Sequence, residues 1–323
     1  MSAENDQQRE VNFPVSETRR AINPGAEKWL GVKIPALDHG FIYLVDYMGN
    51  DQSVEQAARV SYGAGTRSIN ETIGLIRYLR RNHHTTPFEM AEMKFHMKLP
   101  LVIAAQIVRH RTANINQLSA RYSILDSEFY IPDPEVIGVQ SSANRQGRGK
   151  EVDIETAQKF REALIHFTTK SYQNYEFFLN DDGTGKPVDS EREMIARELA
   201  RMGLPQDIYT QWYWKCDLHN IFHFLGLRME SHAQWEVRQY GNAMGKIVAD
   251  SFPISWGAFK DYEFEATSIT KPEQDVLKSL LETKGVKFTK EEILSLADSQ
   301  GLTNKRERQE LLDKFRDLGF IKE

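Results

Sequence analysis

Residues 93–122 read MKFHMKLPLVIAAQIVRHRTANINQLSARY, and the changes of period inside this one stretch constrain the fold more than any other feature of the chain. MKFHMKL (93–99) alternates apolar and polar residues, the pattern of a strand with one buried face. LVIAAQIV follows without a break and is apolar almost all round, which predicts a buried helix over 101–111 that carries Arg109, His110 and Arg111 at its C-terminal end. NQLSARY then alternates again. If extended, it sets Gln117, Ser119 and Arg121 on one side and Leu118, Ala120 and Tyr122 on the other, a polar comb beside a cationic helix end.

Three adjacent potential cations repel one another unless something negative lies among them, so the stretch asks for an anion. The chain as a whole does not: 41 Lys and Arg against 46 Asp and Glu give a formal charge of -5, which argues against non-specific nucleic-acid coating and against a polybasic membrane surface. Any anion must therefore be held in a local pocket. Helical neighbours point about 100° apart, so Arg109, His110 and Arg111 surround an extended ligand or serve an interface rather than grip one group. Arginine forks suit phosphate oxygens, and the Ser119 hydroxyl and Arg121 would add charge-assisted bonds. A set of intramolecular salt bridges would account for the same cluster.

Along the chain, residues 1–36 read as a loosely ordered arm and FIYLVDYMG (41–49) as a strand ending at a Gly-Asn turn. A helix is expected from Ser53, with Gln56 three residues on, and another over 69–82 with Ile69, Ile73, Ile76 and Leu79 on its apolar face. The Gly- and Ser-rich segments 140–150 and 180–190 read as surface loops, flanked by long helices over 151–179 and 190–203. Helix is again expected from Asp217 to about Ser251, and two or three short amphipathic helices over 265–323. Charges in that last segment roughly balance, which gives a DNA-binding tail little support. The single cysteine, Cys216, allows no intrachain disulfide and no multi-cysteine metal site, and leaves one possible thiol nucleophile. Arg19 and Arg20 are followed by no hydrophobic stretch, and no run approaches the roughly 20 apolar residues of a membrane span, so a soluble cytoplasmic protein is expected.

Two further stretches carry chemistry-bearing residues. In HHTTPFEM (83–90), Pro87 pushes Thr86 towards an extended or turn conformation and puts His84, Thr86 and Glu89 on a loop before the strand; a capped turn would explain it equally. In residues 212–236, His219 and His223 share one helix face, as do Arg228 and His232. The histidine pair admits a metal-dependent nucleotide phosphohydrolase, but the zincin pattern needs glutamate where Asn220 stands, and core histidines explain the pair as well. Arg228, between Leu227 and Met229, is the stronger candidate because a partly buried arginine needs a partner. A non-enzymatic nucleic-acid-binding scaffold is the remaining alternative.

With these blocks in order, the chain resembles the flavin-dependent thymidylate synthases. Their signature is Arg-His-Arg, two residues, Ser, one, Asn, two, Ser, one, Arg-Tyr, matched here at Arg109, His110, Arg111, Asn116, Ser119, Arg121 and Tyr122. AARVSY (57–62), HTTPFE (84–89), ARMGLP (200–205) and LRMESHAQWE (227–236) are similar to family blocks in family order. Asn114 stands in place of the signature serine, Gln117 where many members carry glutamate, and Asp217, His219 and His223 replace polar and basic residues of the FAD-binding helix. The likeness spans roughly 40–260 and leaves the tail beyond 265 outside it.

The resemblance implies an α+β fold, a twisted, largely antiparallel sheet flanked by long helices, in a catalytic domain over 37–264; an N-terminal arm over 1–36 precedes it, and a small helical C-terminal extension over 265–323, expected to be an oligomer-edge or regulatory appendage, follows it. It implies reductive methylation of dUMP to dTMP, with methylenetetrahydrofolate as carbon donor and NADPH as reductant through FAD. No cysteine nucleophile, metal, nucleic acid or membrane is expected, and the sites are shared between subunits of a homotetramer. Gln106, Arg109, Gln117, Ser119, Arg121, Arg201 and Arg228 form the implied dUMP set, with Arg228 in the chemical role beside the uracil ring. Ser61, His84, Thr86, Glu89, Arg109, His110, Arg111, Gln117, Asp217, His219 and His223 form the implied FAD set.

Overall fold

A computed structural model describes residues 21–60, 69–142 and 147–321. The chain opens with α1 (Pro24–Glu27), β1 (Ile34–Ala36), β2 (Gly40–Met48), α2 (Asp51–Val60), α3 (Ile69–Arg81), β3 (Glu92–Pro100), α4 (Leu101–Ile107) and β4 (Asn114–Gln117). A small hairpin of β5 (Gly138–Gln140) and β6 (Arg148–Glu151) precedes the long α5 (Ile154–Leu179), the single turn α6 (Arg197–Ala200) and β7 (Tyr209–Asp217). Then come α7 (Leu218–Arg228), α8 (Trp235–Ser251), α9 (Pro253–Phe259), α10 (Lys271–Lys284), α11 (Lys290–Ser299) and α12 (Lys305–Asp317).

Strand alternation decides the core. The sheet runs β1-β2-β3-β7-β4, every pair antiparallel. Met93, Phe95, Met97 and Leu99 of β3 meet Trp212 and Trp214 of β7 on the face covered by α4, α7 and α8. Each such side chain withdrawn from water contributes about 1.5–3 kcal/mol. The intervening His96 lies on the other face, its Nδ1 2.7 Å from the Tyr43 hydroxyl and its ring 4.9 Å from that of Tyr213. A register shift between Leu44 and Asp46 lets both Leu44 and Tyr47 face the core.

Several sequence expectations need correction. Residues 21–36 are not a loose arm: Ala26 is fully buried, β1 pairs with β2, and Asn23 caps α1 and donates from Nδ2 to the Ser251 carbonyl at 2.8 Å. The helix expected from Ser53 begins at Asp51, because Asn50 Oδ1 accepts from Ser53 N (3.0 Å) while Ser53 Oγ accepts from Asn50 N (3.2 Å). On α3, Ile76 and Leu79 are buried, but Ile73 is 40% exposed and Thr72 is buried in its stead. The helix expected over 101–111 stops at Ile107, and Val108 is 47% exposed. The second extended run covers only 114–117; Ser119 to Ser123 form a turn, so the comb does not continue to Arg121.

The 140–150 loop has hairpin strands at both ends. No long helix spans 190–203. Asn180, in the left-handed region at φ 49°, ends α5 and donates from Nδ2 to the carbonyls of Asp189 (2.8 Å) and Arg192 (2.9 Å), folding the segment back before α6. Helix from 217 to 251 breaks at 229–234, where the Glu230 carboxylate accepts from His232 N at 2.8 Å and from Ser231 Oγ at 3.0 Å.

The last two helices enclose their own small core of Ile293 and Leu312, closed by Ile321 beyond α12. They dock on α3 through the buried Glu307, which lies 3.0 Å from Arg81 and 3.4 Å from Arg77 and accepts from the Tyr262 hydroxyl at 2.7 Å; Arg81 also pairs with Glu310 at 2.7 Å. No helix of the described residues is long and apolar enough to cross a membrane.

Candidate functional site

The first two amides of α4 donate to the carbonyls of Ile208 (3.0 Å) and Gln206 (2.9 Å), which fixes where the helix starts and therefore where it releases Arg109 to Arg111 into a turn. The three residues separate. Only 7% of His110 is exposed; its ring packs 5.5 Å from His223 and 5.4 Å from Phe224, and Nε2 lies 3.0 Å from Thr112 Oγ1. Burial, then His223, with a smaller contribution from Arg228, lowers its pKa. Arg109 and Arg111 are exposed, and among the described residues neither makes an ion pair, so the salt-bridge explanation of the cluster does not hold in this chain.

Around Arg228 the arrangement is built from behind. Arg228 closes α7, and its Nη2 donates to the Gln106 carbonyl of α4 at 3.5 Å; Nε is buried with no hydrogen-bond partner among the described residues. Burial lowers its pKa. The Gln106 side chain bonds Gln234, whose Nε2 donates to Glu236 at 2.9 Å. Glu236, itself buried, also accepts from Tyr130 Oη at 3.0 Å and from Arg148. Burial alone would raise that carboxyl; the bonds from Gln234 and Arg148 outweigh it and hold Glu236 below the usual carboxylate range. Gln234, Glu236, Tyr130 and Arg148 carried no assignment from the sequence, although the first two lie inside the quoted block 227–236.

Part of the set expected at the flavin lies towards the other end of α7. His84 stands beside Tyr78 (ring centroids 5.7 Å), and Thr86 and Glu89 lie on the 3-10 turn Thr86–Met90 against that helix. Asp217 caps α7, accepting from Asn220 N at 2.9 Å and Nδ2 at 2.8 Å. His219 Nδ1 is 3.3 Å from Arg80 Nη1, and His223 is exposed one turn on. Ser61 lies outside the described residues. Among the described residues no three His, Cys, Asp or Glu side chains gather as metal ligands; of the histidine pair, His219 faces Arg80 and His223 faces His110.

Ser119, Arg121 and Arg201 form a separate group. Ser119 Oγ accepts from Arg121 N at 3.3 Å, Arg121 meets Glu198 at 3.1 Å, and Arg197 ties the turn down through the Tyr122 carbonyl at 2.6 Å, with Arg201 exposed on the next turn. The Arg121–Glu198 pair is more than half exposed on both sides and contributes little, so an anion can displace it. Gln117 Nε2 donates to Thr210 Oγ1 at 3.3 Å. Among the described residues no hydrogen bond or ion pair joins this group to Arg228.

A helix-covered antiparallel sheet with exposed arginines free of ion pairs among the described residues, and with a half-buried, half-partnered guanidinium, is an arrangement suited to anionic ligands. The comparisons with known proteins make this specific. A family model described as thymidylate synthase complementing protein matches residues 43–254. The flavin-dependent thymidylate synthase of Ruegeria pomeroyi is 50% identical over 284 residues, covering 88% of this chain and 90% of its own; that of Rickettsia typhi is 44% identical over 300 residues, covering 93% and 99%. A solved structure of the UMP/dUMP methylase PolB from Streptomyces cacaoi, bound with 5-Br UMP, superposes with a TM-score of 0.62 at 29% identity, covering 71% of this chain and 96% of that one. The chain belongs to the flavin-dependent thymidylate synthase family. One expectation is overturned: a match over 300 of 323 residues leaves 23 unaligned, fewer than the 59 of segment 265–323, so the likeness continues into the tail.

Proposed function

We propose that this protein is a thymidylate synthase that methylates dUMP reductively to dTMP, with methylenetetrahydrofolate as carbon donor, NADPH as reductant and FAD between them. The observation that carries the reading within this family is Arg228: a half-buried cation whose inaccessible Nε has no partner among the described residues, held beside Gln106 and the bonded Gln234–Glu236 pair. A site built this way is completed by a ligand with acceptor atoms. The donor set fits both expected ligands, since unpaired Arg109 and Arg111 and the His84, His219 and His223 edges suit a pyrophosphate and an isoalloxazine ring, while Ser119, Arg121 and Arg201 suit a nucleotide phosphate.

FAD, when bound, supplies storage and delivery of a hydride. Arg228 beside the uracil ring favours the form deprotonated at N3, because a fixed cation lowers a neighbouring pKa by roughly 1–3 units, and this enriches C5 in electrons. Gln106, Gln117, Ser119, Arg121 and Arg201 orient the nucleotide. Cys216 is no alternative nucleophile: it is buried, its Sγ faces the Thr112 carbonyl at 3.8 Å, and burial pushes the thiol up to about 12.

The two arginine groups serve one nucleotide if they come from different subunits, as in a homotetramer with shared sites. Exposed apolar side chains on α5 (Phe160, Phe167, Phe177, Phe178) supply a surface suited to such association. Catalysis then belongs to residues 37–264, with α1 and β1 packed into the same core, on the twisted sheet of the family; a cytoplasmic setting suits both the reaction and the free thiol. The test is direct. Protein loaded with FAD is yellow, is bleached by NADPH without oxygen, and releases the C5 hydrogen of dUMP only when methylenetetrahydrofolate is present; a preparation that binds neither FAD nor dUMP refutes the reading.

A further inference from the structure

Arg80, on the last turn of α3, carried no assignment, yet it is among the most buried charged residues described, at 4% exposure. Its guanidinium forms an ion pair with Glu263, Nη2 donating to the carboxylate at 2.5 Å, and lies 4.9 Å from the ring centre of Phe222 and 5.4 Å from that of Phe88. The remaining arm, Nη1, meets His219 Nδ1 at 3.3 Å. Arginine has donors and no acceptor and stays protonated in proteins, so this contact is a hydrogen bond only when Nδ1 is bare. The proton of a neutral imidazole must then sit on Nε2. An imidazolium would set N–H against N–H beside a buried cation.

We propose that Arg80 is a positioning residue for the cofactor site: it holds His219 as the neutral tautomer protonated on Nε2, so that an oriented N–H donor rather than a cation is presented to the flavin. The proposal rests on the reading of His219 as an FAD contact. Burial, and after it Arg80, lowers the His219 pKa, in keeping with this. The other charged or titratable groups around His219 are Asp217 on its own helix, Glu89 of the 3-10 turn, Glu263 behind Arg80, and His83 and His84, which line the same small cleft. Arg80 is in turn braced from outside, since its neighbours Arg77 and Arg81 are the arginines that Glu307 of the C-terminal helices engages.

The test is FAD affinity of the apoprotein, followed by flavin fluorescence against pH. H219Q sets an amide N–H near the Nε2 position and an acceptor towards Arg80, so it keeps FAD affinity within about threefold, whereas H219N, too short to do both, loses about tenfold, the equivalent of one hydrogen bond of 1.4 kcal/mol. R80Q frees His219 to protonate, so FAD binding gains a component absent from the wild type, about tenfold tighter near pH 5.5 than near pH 8. R80Q/H219Q lacks that component. Equal affinities for H219Q and H219N, parallel pH profiles for R80Q and wild type, or persistence of the new component in the double variant each overturn the proposal, and the H219Q and H219N pair decides it even if R80Q does not fold. H84A and R111A report on the flavin reading alone: if they weaken FAD while the Arg80 and His219 variants behave as wild type, the site stands and the role of Arg80 falls. If no variant alters FAD affinity, both fall.

Discussion

Replacing Arg228 by methionine should separate stability from binding. In the free protein the side chain makes one marginal bond, Nη2 to the Gln106 carbonyl at 3.5 Å, and leaves Nε–H buried and unpartnered. Removing a bond of that length costs about 0.5 kcal/mol at most, while removing an unsatisfied buried donor relieves about 1–3 kcal/mol. Methionine fills a similar volume without a charge. R228M should therefore melt at or above the wild-type temperature, by up to a few degrees, since about 1 kcal/mol corresponds to about 1.5 °C in a chain of 323 residues. Binding of dUMP moves the other way: losing one partner of a desolvated charged contact costs about 2–5 kcal/mol, or about 30-fold to several thousand-fold in Kd. Differential scanning fluorimetry and calorimetric titration on one preparation read both. A variant that melts several degrees lower yet binds dUMP normally would show that Arg228 is a structural residue and refute the reasoning.

C216A should keep turnover within about twofold and lose only about 1 kcal/mol of stability, and the wild-type thiol, pushed up to about 12 by burial, should resist iodoacetamide at pH 8 in the folded protein. E307A removes the carboxylate shared by Arg77, Arg81 and Tyr262 and should cost about 2–3 kcal/mol in urea unfolding, below the full penalty of a broken buried pair because Arg81 keeps Glu310, with protease cleavage appearing near 265–270. Burial, with a smaller push from Asp38, raises Asp207 to about 6, so the folded state holds this proton more tightly than the unfolded chain does; the resulting stability is complete below about pH 4 and lost as pH rises through 6. D207N should flatten that part of the stability profile, which thermal melts between pH 4 and 7 would show.

Where period and burial agree, the sequence was legible. β3 alternates because one of its faces meets Trp212 and Trp214, and the signature residues stand at its exit because α4 is apolar enough to be anchored between the sheet and α8. Element ends were less legible. Nothing in LVIAAQIVRHR says that the helix stops at Ile107; that follows from where its first amides meet the Ile208 and Gln206 carbonyls, about a hundred residues further on. Asn180 likewise overrides the helical pattern after 190 through bonds made by its side chain. The site divides the same way. The residues proposed to face ligands could be named from the family blocks, whereas Arg80, Tyr130, Arg148 and Glu236 bond to partners distant in sequence, and no local pattern carries that information.

The distribution of satisfied charge carries the functional argument further than any single contact. Glu236, Asp51 and Glu307 are nearly inaccessible carboxylates, and each is bonded several times over: Asp51 accepts from Ile254 N (2.8 Å), Ser255 N (3.0 Å) and Ser255 Oγ (2.6 Å). Arg228 is treated differently: among the described residues its buried Nε has no partner, a costly arrangement that substitution would remove, while Arg109 and Arg111 stand exposed without ion pairs. The unpartnered Nε lies at the end of α7, and the exposed arginines stand at the exit of α4. Cations left open at these two places, in a chain of net charge -5, are what the proposed anionic ligands would complete. Saturating dUMP and FAD should then raise the unfolding temperature of the wild type by more than that of R228M, because the bonds missing from the free protein are the ones the ligands supply.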